Sequence, residues 1–112
     1  MRFEWDEDKN RHNLRKHDVR FETAILVFDD PLAISRRDYS VEEEERWITV
    51  GAIAPGSILL VVHTFYEENH EEVVRVISAR AAESHERKAC AETHKGPEAR
   101  HRNHRRKKRR GY

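Results

Sequence analysis

Side chains that can carry positive charge or move protons are concentrated in three stretches of the sequence. One is a polar segment near the start, the second is a pair of β-rich runs in the middle, and the third is an apolar run that contains two arginines. Six residues from these stretches are the candidates for direct chemistry: Lys16, His17, Arg46, His63, Arg75 and Arg80.

Lysine, arginine and histidine together are sufficient to cleave RNA without a metal ion. A base removes the proton of the 2′-hydroxyl, cations stabilise the charged phosphorane, and an acid protonates the 5′ leaving oxygen. The residue types do not say which group is the base and which is the acid. RNA cleavage is therefore the first hypothesis for this set of residues.

Other chemistries find little support in the sequence. The chain has eight histidines, but it has no Cys-x-x-Cys or His-Glu-x-x-His motif, and His12 and His17 are five residues apart on a predicted helix, where they point differently. The four glycines are scattered and form no phosphate-binding loop, and no nucleophile motif surrounds Cys90. We expect neither a metal nor a cofactor.

The two middle runs, residues 46–53 and 58–65, are predicted to form a β-hairpin. Ala54-Pro55-Gly56-Ser57 joins them, with Pro and Gly placed as a type II turn requires. If Ile53 opposes Ile58, then Arg46 and His63 lie on the same face of the sheet. We expect replacement of either residue by alanine to reduce cleavage without unfolding the domain.

Residues 73–80 are predicted to form a central strand, because the run is β-branched and bounded by polar loops. Strict alternation places Arg75 and Arg80 on opposite faces, unless a bulge or the end of the strand turns one of them round. The alternative to a catalytic role is a structural one, in which the arginines reach the rim of the sheet or pair with internal carboxylates. For Arg80 such an ion pair would make substitution unfold the protein.

Three helices are predicted around the strands. Residues 6–17 begin with acidic and end with basic side chains, as the helix dipole favours, and residues 21–28 carry an apolar stripe that belongs to the core. A last helix covers residues 83–93. The first helix has a basic, amide-rich stripe that is either an RNA-binding surface or simply a solvated face, and the last helix carries Arg87 and Lys88. The candidate RNA-binding residues on these helices are Lys9, Asn10, Asn13, Arg87 and Lys88.

These elements predict an α+β fold, a small antiparallel sheet of about four strands with two N-terminal helices and a C-terminal helix. The chain has 112 residues, of which 38% are charged, so it has material for one small domain, which we assign to residues 1–95. Residues 96–112 are predicted to be a basic disordered tail, since this segment is almost devoid of apolar side chains.

Charge is divided unevenly along the chain. The first 90 residues contain 13 basic and 19 acidic side chains, whereas the remaining 22 contain nine basic and two acidic ones. An acidic body that handles nucleic acid needs its few cations gathered at one place. The single cysteine and the lack of an apolar run of roughly 20 residues predict a cytoplasmic protein without a membrane span.

Several motifs, in order and correctly spaced over about residues 2–90, resemble the BrnT family of toxins. They are Phe3-Glu4-Trp5-Asp6, Lys9-Asn10, Asn13, Lys16-His17, Val27-Phe28-Asp29-Asp30-Pro31-Leu32, Glu45-Arg46, Gly51 and Ile77-Ser78-Ala79-Arg80. The resemblance implies a RelE-like ribonuclease fold and mRNA cleavage that arrests translation. It also implies a BrnA-type antitoxin partner in a heterotetramer that binds operator DNA through the antitoxin.

The sequence departs from the family pattern at two places. Asp18 stands where the family usually has the glycine that ends a helix in the left-handed conformation. The segment from Ala81 to His85 replaces a strongly basic helix start. The second departure leaves an alternative open, a catalytically weak or inactive antitoxin-binding module that acts mainly as operon co-repressor. A third possibility is a binder of RNA or DNA that relies on the basic tail.

Overall fold

A five-stranded mixed sheet organises the protein in a computed structural model, which describes residues 1–93 and side chains as far as Lys88. The sheet has the strand order β1-β5-β4-β3-β2. The strands are β1 (Arg2–Glu4), β2 (Ile34–Asp38), β3 (Arg46–Ala54), β4 (Ser57–Glu68) and β5 (Glu71–Ala81). The helices are α1 (Glu7–His17), α2 (Phe21–Ala24), a 3-10 helix (Ile25–Asp29) and α3 (Ser84–Thr93).

The α+β class is confirmed, but the number and direction of the strands differ from the prediction. Strand β1 pairs with β5 in parallel, while the other three pairings are antiparallel. A strand of three residues is too short to show an alternating pattern, which is why the sequence did not reveal it. The predicted second helix is a single α-helical turn that continues as a 3-10 helix.

One face of the sheet carries the core. Phe21, Ala24 and Val27 pack from α2 and the 3-10 helix onto Val61 and Val76 of the two central strands, and all five are buried. Gly51 allows this close approach, because a Cβ at that position would lie 3.0 Å from the Ala33 Cβ and 3.2 Å from the Val27 carbonyl oxygen. We call this the core face.

A β-bulge in β3 changes the predicted register of the hairpin. Ala54 pairs with Ser57, as the turn requires, but Ala52 pairs with Ile58 and leaves Ile53 as the extra residue. Beyond the bulge the pairing is shifted by one residue, so every β3 side chain changes face relative to β4. The prediction that Arg46 and His63 share a face is therefore wrong.

A second bulge lies between β4 and β5. Val62 pairs with Ser78 and His63 pairs with Val76, so Ile77 is the extra residue. As a result, Arg75 and Arg80 lie on the same face, the exception to alternation that the sequence had left open. We call the face opposite the core the open face. Its side chains include Ile34, Arg36, Arg46, Ile48, Val50, Val62, Arg75, Ser78 and Arg80.

Helix α1 covers the edge of β5 beyond the point where β1 ends. Asp6 caps its N-terminus by accepting hydrogen bonds from the backbone N–H groups of Asp8 and Lys9. Asp18 ends it in the left-handed conformation, with φ of 59°, and donates its N–H to the Leu14 carbonyl over 2.9 Å. Aspartate thus fills the position of the family's glycine.

Several expectations concern residues at the limit of the described chain or beyond it. The predicted tail, residues 96–112, lies outside the described residues, and so do the last two residues of the predicted domain. Within residues 1–93 no helix is long and apolar enough to span a membrane. No group of three or more potential metal ligands occurs within the same range.

Candidate functional site

The structure divides the six candidates for chemistry among three places. His63 lies in the core, Arg46, Arg75 and Arg80 lie on the open face, and Lys16 and His17 lie at the end of α1. The three places differ in burial and in whether a carboxylate pairs with the charged side chain.

His63 is a core residue with no exposed surface. Its ring packs edge-on against Phe28 and Phe65, with centroid distances of 4.9 Å and 4.8 Å. Its Nε2 lies 2.7 Å from the hydroxyl of Thr49, which is in turn 2.7 Å from the Ser35 hydroxyl. Burial keeps RNA away from this side chain and contradicts the catalytic role predicted for His63, because the face of β4 that carries His63 also carries Leu59 and Val61 and packs into the core.

Each of the three predicted arginines of the open face contacts a carboxylate. Arg46 donates to Glu44 over 2.6 Å, and Arg75 makes a long contact of 3.4 Å with Glu4. Arg80 has the strongest pairing, since both of its terminal nitrogens lie 2.9 Å from the carboxylate of Glu86. Arg75 keeps 47% of its side chain exposed, against 29% for Arg46 and 34% for Arg80, and is therefore the most accessible of the three.

The Arg80–Glu86 pair fastens α3 to β5. Glu86 also accepts the backbone N–H of Glu83 over 2.7 Å, which caps the start of α3. The hydrogen bonds from Arg80 lower the pKa of the Glu86 carboxyl, while the same bonds raise the pKa of the Arg80 guanidinium. This is the structural alternative that the sequence had left open for Arg80.

Asn10 and Asn13 are buried, so they are not an RNA-binding surface as predicted. Asn13 pairs with the open edge of β5: its amide donates to the Ala79 carbonyl over 2.8 Å and accepts the Ala79 N–H over 3.1 Å. Asn10 accepts the N–H of Phe21 and donates to Glu7 and Glu22. Both amides lie on the inner side of α1. Asn13 substitutes for a missing strand partner of β5, and Asn10 fixes the turn that follows the helix.

The residues of α1 that remain outside form a groove with the bulge of β5, which we call the α1 groove. It has a volume of about 240 Å³. It is lined by Lys9, His12, Asn13, Lys16, His17, Ile77 and Ser78. Asn13 and the bulge hold the helix against the strand, and the four cationic or titratable side chains stand around the opening.

No carboxylate of the described residues neutralises these four side chains. Within the part of the chain that the structure describes, the side chains of Lys9, His12, Lys16 and His17 make neither an ion pair nor a hydrogen bond. Lys9, His12 and Lys16 are exposed, and His17 is half-buried. The α1 groove therefore combines two lysines with two imidazole rings that can donate or accept a proton.

Sequence reasoning missed His12 as a member of this site. It considered His12 only as a metal ligand paired with His17, at a spacing that suits no metal. The signal that could have found it is its position three residues after Lys9 and four before Lys16, which places it beside both on a helix.

The α1 groove meets the open face at Ser78. This residue lines the groove, and its pairing with Val62 puts its side chain on the same face as Arg75 and Arg80. A polyanion lying in the groove can therefore continue onto the sheet near Arg75.

The two cationic residues predicted to bind RNA from α3, Arg87 and Lys88, have different surroundings. Arg87 donates to the carbonyl of Ala82 over 2.8 Å and to the hydroxyl of Ser84, so it stabilises the start of the helix. Lys88 is exposed, and its side chain makes no hydrogen bond or ion pair within the described residues.

A second groove lies on the open face, between strands β2 and β3 and the first turn of α3, and we call it the open-face groove. It has a volume of about 230 Å³ and is lined by Ile34, Arg36, Ile48, Val50, His85 and Glu86. Its floor is aliphatic, which distinguishes it from the α1 groove.

Comparisons with known proteins agree on one family. Residues 5–86 match the family model described as the ribonuclease toxin BrnT of type II toxin-antitoxin systems. The crystal structure of the Brucella abortus ribonuclease toxin BrnT is similar in fold, with a TM-score of 0.53 and 25% sequence identity, and the match covers 75% of this chain and 99% of that one. No curated protein sequence matches significantly.

Proposed function

The chain belongs to the BrnT family of ribonuclease toxins of type II toxin-antitoxin systems, and on this premise we propose that it is a metal-independent endoribonuclease that cleaves mRNA in the α1 groove. The observation that carries the proposal is the group of unneutralised cations and histidines around that groove, Lys9, His12, Lys16 and His17. In a body with more acidic than basic residues, this gathering is where an RNA phosphate is attracted most strongly.

The groove contains the groups that transesterification of RNA requires. Lys9 and Lys16 stabilise the negative charge that develops on the phosphate oxygens. His12 and His17 exchange protons with the 2′-hydroxyl and the 5′ leaving oxygen, and either histidine is able to serve as base while the other serves as acid. The 2′-hydroxyl attacks the adjacent phosphorus, the bond to the 5′ oxygen breaks, and a 2′,3′-cyclic phosphate remains.

Other side chains support this proposal without touching the reacting atoms. Asn13 holds α1 on β5, so it positions the cations above Ser78. Among Arg46, Arg75 and Arg80, we assign Arg75 to the flanking RNA backbone, since it is the most exposed of the three and its contact with Glu4 is long. Arg46 and Arg80 are assigned to the ion pairs that shape the open face.

The test is cleavage of a defined RNA by purified protein in the presence of EDTA. We expect Lys16→Ala and His17→Ala each to lower the rate by about 10²-fold or more, the usual contribution of one charge-stabilising or proton-transferring group. Arg15→Ala is the matched control, because Arg15 is an exposed cation in the same turn of α1 but does not line the groove.

Three results would contradict the proposal. One is cleavage that EDTA abolishes, and another is full activity in both groove variants. The third is an equal loss in Arg15→Ala, which would point to the general charge of α1 rather than to the groove. Circular dichroism of each variant separates lost chemistry from lost folding.

A second function is favoured by the state of the open-face arginines. Since Arg46, Arg75 and Arg80 contact carboxylates, the protein has fewer available cations than the sequence suggests. This supports the catalytically weak alternative, a module that binds antitoxin and acts as co-repressor. Wild-type expression that leaves both growth and mRNA unaffected would favour this alternative over the nuclease.

The proposal includes the partners that a type II toxin requires. We propose a BrnA-type antitoxin as the protein partner, a heterotetramer as the assembly, and operator DNA bound through the antitoxin. The RNA substrate places the activity in the cytoplasm. Co-purification with the product of the adjacent gene, followed by mass determination, tests the assembly.

A further inference from the structure

The open-face groove is chemically different from the proposed RNA site. Ile34 pairs with Val50 and Arg36 pairs with Ile48, so three aliphatic side chains form a floor across the two outer strands. All three are only half-buried, as is Val62 beside them on β4. Exposed apolar surface of this kind, rimmed by polar groups, is typical of a protein-binding site.

The charge at the rim of the groove is positive. Arg36 is exposed, and its side chain makes no hydrogen bond or ion pair with the residues that the structure describes. Glu86, the acidic residue of the lining, is neutralised by Arg80 over two contacts of 2.9 Å. A segment that fits the groove must therefore bring aliphatic side chains to the floor and a carboxylate to Arg36.

RNA and the chain's own end fit these requirements poorly. The lining contains one ring, that of His85, and the aliphatic floor of Ile34, Ile48 and Val50 offers no hydrogen-bond donor to a phosphate. Residues 94–112 contain nine basic residues and only Ala99 and Tyr112 as apolar ones, so they would bring positive charge to Arg36.

We propose that the open-face groove is the docking site for an acidic amphipathic segment of the protein antitoxin. The proposal rests on the type II partnership proposed above, but not on catalysis in the α1 groove. It separates two surfaces of the molecule: RNA binds at the edge of β5, and the antitoxin binds on the open face over β2 and β3.

The test is calorimetric binding of the adjacent gene's product to the full-length protein. We expect Arg36→Glu to weaken binding about tenfold or more, as the loss of a central charge contact does, and Ile48→Ser to weaken it to a similar extent. The matched controls are Arg15→Glu, an exposed arginine of α1, and Leu26→Ser, an exposed leucine of the 3-10 helix. Both should bind like the wild type.

Two further measurements make the result decisive. RNA cleavage by Arg36→Glu, without antitoxin, is expected to equal that of the wild type. If the nuclease proposal fails, the wild type itself does not cleave RNA, and the binding test is unaffected. A full-length variant in which the six basic residues 105–110 are glutamines should bind the antitoxin as the wild type does.

Any of four outcomes would overturn the proposal. The first is wild-type affinity in both groove variants, and the second is no binding by the folded wild type. The third is tighter binding by the glutamine variant, which would mean that the chain's own end occupies the groove. The fourth is a wild-type dimer in sedimentation that Arg36→Glu dissociates. Since Arg36 is exposed on an edge strand, its substitution leaves the fold intact and the result readable.

Discussion

At the scale of single residues, the partners of a side chain decide whether its charge is available for chemistry. Lys16 and Arg80 are both candidates in the sequence, but Arg80 is held by Glu86 while Lys16 lines an open groove. The sequence identified Lys9, Lys16 and His17, because helical spacing is reliable over a few residues. It placed Arg46 and His63 on one face, which is wrong because one extra residue in β3 moves Arg46 to the other face.

His63 provides a test at this scale. We expect His63→Ala to destabilise the protein by about 2–4 kcal/mol, since it leaves a cavity between Phe28 and Phe65 and removes the hydrogen bond to Thr49. The measurement is urea unfolding, with His12→Ala as the control for an exposed histidine. A stable His63→Ala variant with reduced cleavage would instead restore the catalytic role that the sequence suggested.

At the scale of elements, the hairpin, the central strand and the first helix could be predicted, and the irregularities could not. Runs of β-branched residues and a Pro-Gly turn locate β3, β4 and β5. The bulges at Ile53 and Ile77 interrupt the alternation of the strands, and no turn residue or other local pattern in the sequence predicts them. The bulge at Ile53 separates Arg46 from His63, and the bulge at Ile77 brings Arg75 and Arg80 onto one face.

The attachment of α3 to β5 provides a test by pH. The folded pKa of Glu86 is depressed, so its pairing with Arg80 adds stability above the ordinary carboxyl value of 4.5 and loses it as the pH falls through the folded value. We expect Glu86→Gln to be less stable than the wild type at pH 7, and the difference to shrink toward pH 3.

Urea unfolding of the two proteins across this range measures the effect. Glu83→Gln is the control, because Glu83 is exposed and its carboxylate lies 3.7 Å from Arg80. An undiminished difference at pH 3 would show that Glu86 contributes through packing or helix capping rather than through its charge.

At the scale of the whole molecule, the proposed RNA site and the proposed antitoxin site lie on different surfaces. Two lysines and two histidines gather around the α1 groove, while half-buried aliphatic side chains line the open-face groove. The charge asymmetry of the sequence predicts that the few cations of the acidic body gather at one place, but it does not show which surface holds them. That depends on Asn10 and Asn13, whose burial turns the other side of α1 outward.

The position of bound RNA tests this account most directly. The measurement is an NMR titration of the full-length protein with an RNA whose scissile 2′-hydroxyl is replaced by hydrogen, so that it binds without being cleaved. The account predicts the largest amide shifts at Lys9, His12, Lys16 and His17 and at the adjoining bulge of β5. Shifts centred on Ile34, Ile48 and Val50, with α1 unaffected, would contradict it.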